Sequence, residues 1–448
     1  MKSNALLIVK KFISYLYLPL FLSFFLFQRS VAGLNIGSYR FGEFIVLLGL
    51  ISSIQILFTS NLQIVNKYAM TPTGVIAYKL ILSSFFISII FNNYSTFELN
   101  SYNFKASSYI WMTGFFFLTI NLISLKLINF RKYWLILFAP LVMYIFSSTY
   151  YPDYIINFFL NNSDKFQFPK ASDIFIVTMF SSILSFRILK KDRLANYYFI
   201  TTVAAILPLL LYMSRGSFIG LVVYFFLEIL YRRETIFKNF KETIFSGFLI
   251  IFIFLFSTLN IFGNFSFDKT TNNENIVIEQ NIISSFTDSI EQIADNKNTI
   301  RVIFSFYIEN ERIRSTDGTT EWRLDIWQDM VQDLNIKELN IRGYGYSEII
   351  PIMNDPNEPG RMGRDGLNEH VHNHFFNILG RGGYLQLLLF LTFYSNIIYS
   401  WYRNRGSYWI ITVMLPVFIV SFFDISMEGV QFPFIFFTLL GFLISEEI

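Results

Sequence analysis

Long apolar runs separated by short polar stretches make up most of this chain. They fall near 12–28, 42–60, 73–91, 109–129, 132–150, 172–189, 195–213, 216–231, 243–262, 383–401, 408–422 and 430–445. A helix crosses the hydrocarbon core of a bilayer in roughly 20 residues, and these runs approach that length. None shows the apolar-polar alternation of an outer-membrane barrel strand. The pattern predicts an all-α polytopic membrane protein of about 12 transmembrane helices. They divide as helices 1–9 in residues 1–263, one large outer loop in 264–382, and helices 10–12 in 383–448.

Composition agrees, since 53% of residues are hydrophobic and only 15% charged. A mean hydropathy of +0.46 is too high for a water-exposed surface on a chain of this length. There is no cysteine, which excludes disulfides and thiolate metal ligands. The net charge of +3 says less than its distribution. The first run follows Lys10 and Lys11 and lacks a small-residue cleavage site, so it reads as an uncleaved signal anchor with its amino terminus in the cytoplasm. Alternation from that start puts Lys67, Arg131 and Lys132, Lys190 to Arg193, the basic stretch 231–241 and "YRNR" at 402–405 inside, as the positive-inside rule requires. Both termini are then cytoplasmic. The outer loop holds 19 of the 32 acidic residues and 11 of the 35 basic ones, the expected complement.

Within the loop, Ile283, Phe286, Ile290 and Ile293 share one helical face, and Trp327, Met330, Val331 and Leu334 share another. Two amphipathic helices, packed on the membrane domain or lying in the interface, are expected, making the loop mainly helical. The stretch between them, "IENERIRSTDGTTE", reads as polar loop. "GYGYS" (Gly343 to Ser347) and "NDPNEPGRMGRDG" are rich in turn residues.

Three stretches on the predicted outer face could carry chemistry. "SRGS" (Ser214 to Ser217) interrupts an apolar stretch with Arg215, which either snorkels to headgroups or presents its planar fork to an anion such as phosphate. "EWRLDIWQ" places Arg323 between Trp322 and Trp327 on the first turn of an amphipathic helix, where spacing alone gives it no role. "EHVHNHFFNILGRGGYLQ" contains every histidine of the chain: His370, His372 and His374. On an extended backbone the three rings would share a face and could take a metal, whereas on a helix His370 and His374 would meet. Alternatively, one ring sits at a helix amino terminus, where the macrodipole keeps it neutral and able to accept a proton, or the segment is simply a polar helix start. Asp365 and Glu369 nearby read as ordinary loop carboxylates.

Taken in order, "SRGS" after an apolar run, "WRxxxW" in a large outer loop, the "GYGYS" turn and "HxHN" before a glycine and an apolar run resemble the bacterial O-antigen polymerase and O-antigen ligase superfamily. The resemblance spans roughly Tyr197 to Leu389. It implies a membrane glycosyltransferase of GT-C type, acting at the periplasmic face of the inner membrane on undecaprenyl-diphosphate-linked glycans in lipopolysaccharide biosynthesis. Carried over, the family's essential histidine falls on His372 with Asn373 beside it, and its arginines fall on Arg215 and Arg323. His370, His374 and Tyr344 are further substrate-binding candidates. The chain departs from the family's pattern after the histidine, where "GYLQ" (Gly383 to Gln386) stands for the usual "GxxG" and Arg381 adds a charge.

The implied chemistry is coherent. Sugars outside the cytoplasm must arrive already activated, and a lipid-linked diphosphate is a good leaving group that two guanidiniums can stabilise. No metal or other cofactor is then expected, although Asp424 and Glu428 stay open as ligands or acceptor contacts. The expected partners are the lipid-linked glycan donor and acceptor, membrane lipid and a chain-length regulator protein, and no nucleic acid. The content of 55 Phe and 26 Tyr and the chain length favour a polymerase. The alternatives are a ligase transferring glycan to lipid A core, and a transporter or flippase of lipid-linked sugars. A transporter predicts paired repeats and charged midplane helices, for which Lys79 is the main candidate.

Overall fold

Apolar segments withdrawn from water satisfy their backbone groups internally by forming helices. In the computed structural model they do so throughout; it describes residues 2–60, 70–92, 101–128, 134–189, 191–238, 240–262, 306–356, 358, 360–362 and 369–445. The first half contains α1 (Lys2–Ala32), α2 (Phe41–Phe58), α3 (Pro72–Asn92), the short α4 (Ser101–Ala106) and α5 (Ser108–Met112), α6 (Gly114–Ser124), α7 (Ala139–Ser148) and α8 (Asp153–Asn162). Next come α9 (Ala171–Ile188), α10 (Asp192–Met213), α11 (Arg215–Ile236) and α12 (Phe240–Phe262). The carboxy-terminal part adds α13 (Gly318–Ile336), α14 (His374–Arg405), α15 (Ile410–Phe423) and α16 (Gln431–Ser445). The expected amphipathic face of Ile283, Phe286, Ile290 and Ile293 lies outside the described residues, as do Lys67, Arg131, Lys132, Lys190 and Asp365.

Among the described residues, six helical segments are long and apolar enough to cross a membrane: Tyr15–Ala32, Phe41–Phe58, Pro72–Ile90, Ala171–Ile188, Asp192–Met213 and Lys241–Ile261. A seventh results if Trp134–Ser148 and Asp153–Asn162, which meet at 87°, form one broken span. The remaining apolar runs are helical but shorter, broken or charged. α15 and α16 have 14 and 15 residues, and α11 carries Glu228, Arg232, Arg233 and Glu234 near its end. Length and apolarity thus support six or seven of the twelve expected spans. α16 shows why a run can be apolar without matching bilayer thickness, because every residue from Gln431 to Leu443 is buried against protein. α12 is the opposite case, exposing Phe248, Phe252, Leu255 and Phe256.

The interior is held by aromatic packing and polar clasps, the forces available between helices in lipid. Phe434 of α16 meets Tyr17, Phe24 and Phe115 at ring distances of 5.8, 5.5 and 4.7 Å. The Tyr17 hydroxyl lies 2.6 Å from that of Thr119 and 2.7 Å from that of Thr438. At one end of the bundle, Glu228 accepts from Arg232 and from the Trp409 indole (2.8 Å), and Arg232 covers the Phe186 ring. Arg405 stacks on Trp401, and Lys79 donates to the Thr59 carbonyl. Of the basic residues assigned to one side by sequence, Arg232 and Arg405 meet here through Trp409 and Trp401, whose rings lie 5.4 Å apart, and Lys79 is tied off at the end of α2.

A small layer covers the opposite end. The stretch read as polar loop instead contains an antiparallel hairpin, β1 (Phe306–Glu309) with β2 (Arg312–Ser315). Its turn residues Asn310 and Glu311 both have positive φ (51° and 64°), the twist that two-residue hairpins favour. Arg312 and Arg314 bind Asp325, Asp329 and Glu321 on α13. Behind them Ile326, Trp327, Met330, Leu334, Ile350, Met353 and Val371 form a separate apolar cluster. The described part of the outer segment therefore adds a short hairpin to the expected helix.

This layer docks on a kink in α14. The Tyr344 and Gly345 amides donate to the carbonyls of Gly380 and Arg381, and Tyr384 donates to Asn340. Gly383, at φ 67°, makes the kink, and a side chain there would strike the Ile341 carbonyl. Gly383→Ala should lower the melting temperature of the detergent-solubilised protein, since left-handed backbone alone costs a non-glycine residue about 1–2 kcal/mol. Gly247→Ala on exposed α12, where an added methyl meets nothing, should be neutral or stabilise by up to about 1 kcal/mol. Equal melting temperatures for the two variants would contradict this account of the kink.

Candidate functional site

The corner between α10 and α11 is one residue wide. Ser214 is extended (φ −159°), ends α10, and caps α11 by accepting from the Ser217 amide at 3.5 Å. Arg215 is thus the first residue of α11. Gly216 lets this corner press against the end of α15, where an added Cβ would meet that of Phe423 at 2.6 Å. Arg215 Nη1 donates to Asp317 Oδ1 at 3.1 Å. Asp317 is itself the amino-terminal cap of α13, its Oδ2 accepting from the Thr320 amide at 3.0 Å and hydroxyl at 2.6 Å. Partial burial opposes ionisation of Asp317, but the Thr320 hydrogen bonds and the Arg215 charge outweigh it and hold the carboxyl below its ordinary range.

Arg323 follows on the second turn of α13, not the first, because the helix begins at Gly318. It is half-buried, its Nε has no hydrogen-bond partner, and it forms no ion pair among the described residues. Burial disfavours its charge, while Asp424 and Asp317 support it from farther off. The neighbouring Trp322 ring meets the His372 ring edge-on at 4.9 Å. One turn later, the Trp327 indole donates to the Val371 carbonyl at 2.7 Å and stacks on Phe376 at 4.9 Å. Two tryptophans of α13 therefore grip the segment carrying the histidines.

His372 has φ 55°, a left-handed conformation that only histidine, asparagine and aspartate adopt at all often among non-glycine residues. Such a residue persists only where its surroundings fix it, and such residues concentrate at functional sites. Burial first, then the charges of Arg323 and Lys170, lower the His372 pKa to about 3. The segment is neither extended nor helical at this point, and the three rings diverge. His370 faces Arg381, Lys105 and Arg29, and burial with these charges lowers its pKa to about 3. His374 opens α14 and is fully buried, with Nε2 3.4 Å from the Tyr394 hydroxyl and Nδ1 3.8 Å from Glu428. Among the described residues no group of three or more His, Cys, Asp or Glu is arranged to hold a metal.

Asn373 caps α14, its Oδ1 accepting from the Phe375 and Phe376 amides at 2.9 and 3.2 Å, and its buried Nδ2 has no hydrogen-bond partner. The helix thus starts nine residues before the apolar run predicted from 383. Tyr344 donates its hydroxyl to Asp333 at 2.7 Å, in the apolar cluster behind α13. The structure does not bring it to Arg215, Arg323 and His372. Two contributors went unassigned in the sequence: Asp317, visible only as an aspartate three residues before a threonine at a helix start, and Lys170, which no motif marks.

Residues 200–391, from α10 to the middle of α14, match the family model described as O-antigen ligase. That match supports a place for this part of the chain in the O-antigen ligase and polymerase superfamily. The match takes in Arg215, Arg323 and His372, on three elements that meet at one end of the bundle. It assigns the chain to glycosyl transfer of the ligase or polymerase type, within a multi-pass membrane protein. No curated protein matches the chain.

With three histidines in all, this chain can be titrated ring by ring by NMR of histidine-labelled protein. His370 and His372 should stay neutral from pH 8 to well below pH 5, about the range in which free imidazole protonates. Arg323→Ala should move His372 upward. The folded pKa near 3 lies below the ordinary 6.5, so the unfolded chain takes up more protons between these values. The stability contributed by the neutral ring is then complete above about pH 6.5 and lost as pH falls. Titration of His370 and His372 near 6.5 would contradict the buried site.

Proposed function

We propose that this protein polymerises undecaprenyl-diphosphate-linked oligosaccharide repeat units of O-antigen or a related surface polysaccharide, at the outer face of the bacterial inner membrane. Arg323 carries the reading: a half-buried guanidinium without an ion pair among the described residues, beside His372 and one carboxylate away from Arg215. A dense anion bound between the two arginines completes the charge balance there. In the reaction an acceptor hydroxyl oxygen attacks the anomeric carbon of the donor sugar. The bond from that carbon to the phosphate oxygen breaks, and the electron pair leaves on the diphosphate, where Arg215 and Arg323 stabilise it.

The hydroxyl proton passes to His372. An imidazole with so low a pKa is a weak base, but the Arg323 charge is one of the causes, and the arriving diphosphate offsets it. The ring thus gains basicity when donor is bound. No metal is required in this scheme. Membrane lipid surrounds the bundle, both termini lie in the cytoplasm, and a chain-length regulator protein is the expected accessory partner.

The ligase reading is the second one, and the printed description of the matching family favours it. It uses the same donor chemistry and delivers finished glycan to lipid A core. His372→Ala, Arg215→Ala and Arg323→Ala should each abolish the surface-polysaccharide ladder on a gel while the protein stays in the membrane. A polymerase leaves core plus one repeat unit, and a ligase leaves bare core with polymer stranded on its lipid carrier. Normal ladders in all three variants would sink the catalytic assignment. Loss of activity of purified enzyme with a chelator, restored by a divalent cation, would overturn metal independence.

A further inference from the structure

A transferase joining two membrane-anchored substrates has two anionic heads to hold, and Arg215 with Arg323 accounts for one. The same end of the bundle carries a second cationic group, entirely outside the residues matched by the family. Arg29 closes α1, Arg40 precedes α2, Lys105 lies on α4, and Lys165 lies between α8 and α9. Backbone contacts assemble it. Leu34 bridges Ser163, and the Ser163 hydroxyl donates to the Ser30 carbonyl at 2.8 Å. Gly33 packs so closely on Lys165 that an added Cβ would lie 2.5 Å from the lysine Cβ.

The charges in this group do not balance. Arg40 pairs with Asp164 at 2.6 Å, and Lys105 pairs with Glu369 at 2.6 Å. Arg29 donates to the neutral Gln167 at 2.9 Å, and Lys165 has no ion pair among the described residues. Two half-buried cations are left over, with the other two beside them. Lys165 feels the arrangement: burial first, then Arg40, Arg29 and Lys105, lower its pKa against a smaller opposing effect of Asp164. A surface lined by one sign of charge focuses the field and raises the local concentration of oppositely charged ligands.

His370 fixes where this group lies relative to the first site. Arg29 and Lys105 act on His370, whereas Arg323 and Lys170 act on His372. Lys105 also pairs with Glu369, the residue before His370, so the second group lies beside the histidine segment, at His370 rather than His372.

We propose that Arg29, Lys105 and Lys165, with Arg40 at the rim, form a second phosphate site that holds the anionic head of the acceptor while Arg215 and Arg323 hold the donor. This rests on the transferase reading above. In a polymerase the acceptor head is a lipid diphosphate, and in a ligase it is phosphate on lipid A core. Both present phosphate esters to the same cations.

The test is titration of the purified full-length protein in detergent with inorganic pyrophosphate, followed by kinetics. Two classes of site are expected, one lost in Arg215→Ala/Arg323→Ala and the other in Arg29→Gln/Lys165→Gln, with Lys165→Arg retaining it. In the reconstituted reaction Arg29→Gln/Lys165→Gln should raise the acceptor KM about tenfold or more and leave the donor KM within about twofold, as expected for lost charge-assisted bonds worth roughly 1.5–3 kcal/mol. Running the kinetics with a lipid-diphosphate repeat unit and with lipid A core identifies which phosphate ester the site takes. A single class of site, abolished by the arginine pair alone, would overturn the second site and leave the donor reading intact. Pyrophosphate binding that survives all these changes would count against both. An unchanged acceptor KM despite a lost second class would make it a lipid-headgroup contact and overturn the acceptor role.

Discussion

Everything at the active end of this protein hangs on one buried guanidinium. Arg381 is 1% exposed, inside the kinked helix α14. It donates to the Gly345 and Glu348 carbonyls and to the Tyr102 hydroxyl, tying the glycine-rich turn and α4 to the same point. A charge at such depth is tolerable only while its hydrogen bonds are made, and breaking such a set is strongly destabilising. The turn can therefore approach α14 in one way only. That approach fixes the layer of α13 and the β1–β2 hairpin above the bundle, and so puts Trp322 and Trp327 against the histidine segment.

The site that results stores electrostatic stress in a specific form. Arg323 is desolvated without an ion pair among the described residues, and His372 is kept neutral in a left-handed backbone beside it. Arg215 differs, since Asp317 already partners it. One arginine is thus poised and the other is held, with Asp317 linking them through the cap of α13. A preorganised arrangement of this kind needs little reorganisation when charge develops on a leaving group, which is why such sites favour transfer of charged groups. The second cationic group at Arg29 and Lys165 likewise gathers charge without a full set of ion-pair partners among the described residues.

Much of this was legible in the chain. Apolar run length predicted helices, and each run forms one. The distribution of Lys and Arg predicted a common side for the helix ends at 231–241 and 402–405, and Arg232 and Arg405 of these stretches are joined through Trp409 and Trp401. The ordered motifs put Arg215, Arg323 and His372 in one expected site; in the fold Arg215 pairs with the cap of the helix that carries Arg323, and Trp322 of that helix meets His372. The hairpin was missed because a search for helical periodicity passes over "YIENERIR", although an asparagine-led two-residue turn between alternating residues is its signal. The start of α14 was missed because hydropathy begins only after Gly383, whereas the helix is set by the Asn373 cap and by the packing of Phe376 on Trp327. Tyr344 was misplaced in expectation because its turn points into the layer, toward Asp333, rather than toward the arginines.

By itself the sequence determined the solvent and the elements, because both are properties of runs: apolar length selects helix and lipid, and charge bias between runs selects which ends share a side. It also determined the chemical types available, with three histidines in one segment and arginines set in otherwise apolar or aromatic surroundings. Which arginine is paired and which is poised, which histidine turns inward to Glu428 and which faces Trp322, and where Lys165 meets Arg29 were decided only by tertiary packing. Burial and electrostatic influence depend on distances between groups hundreds of residues apart, and no local pattern encodes those distances.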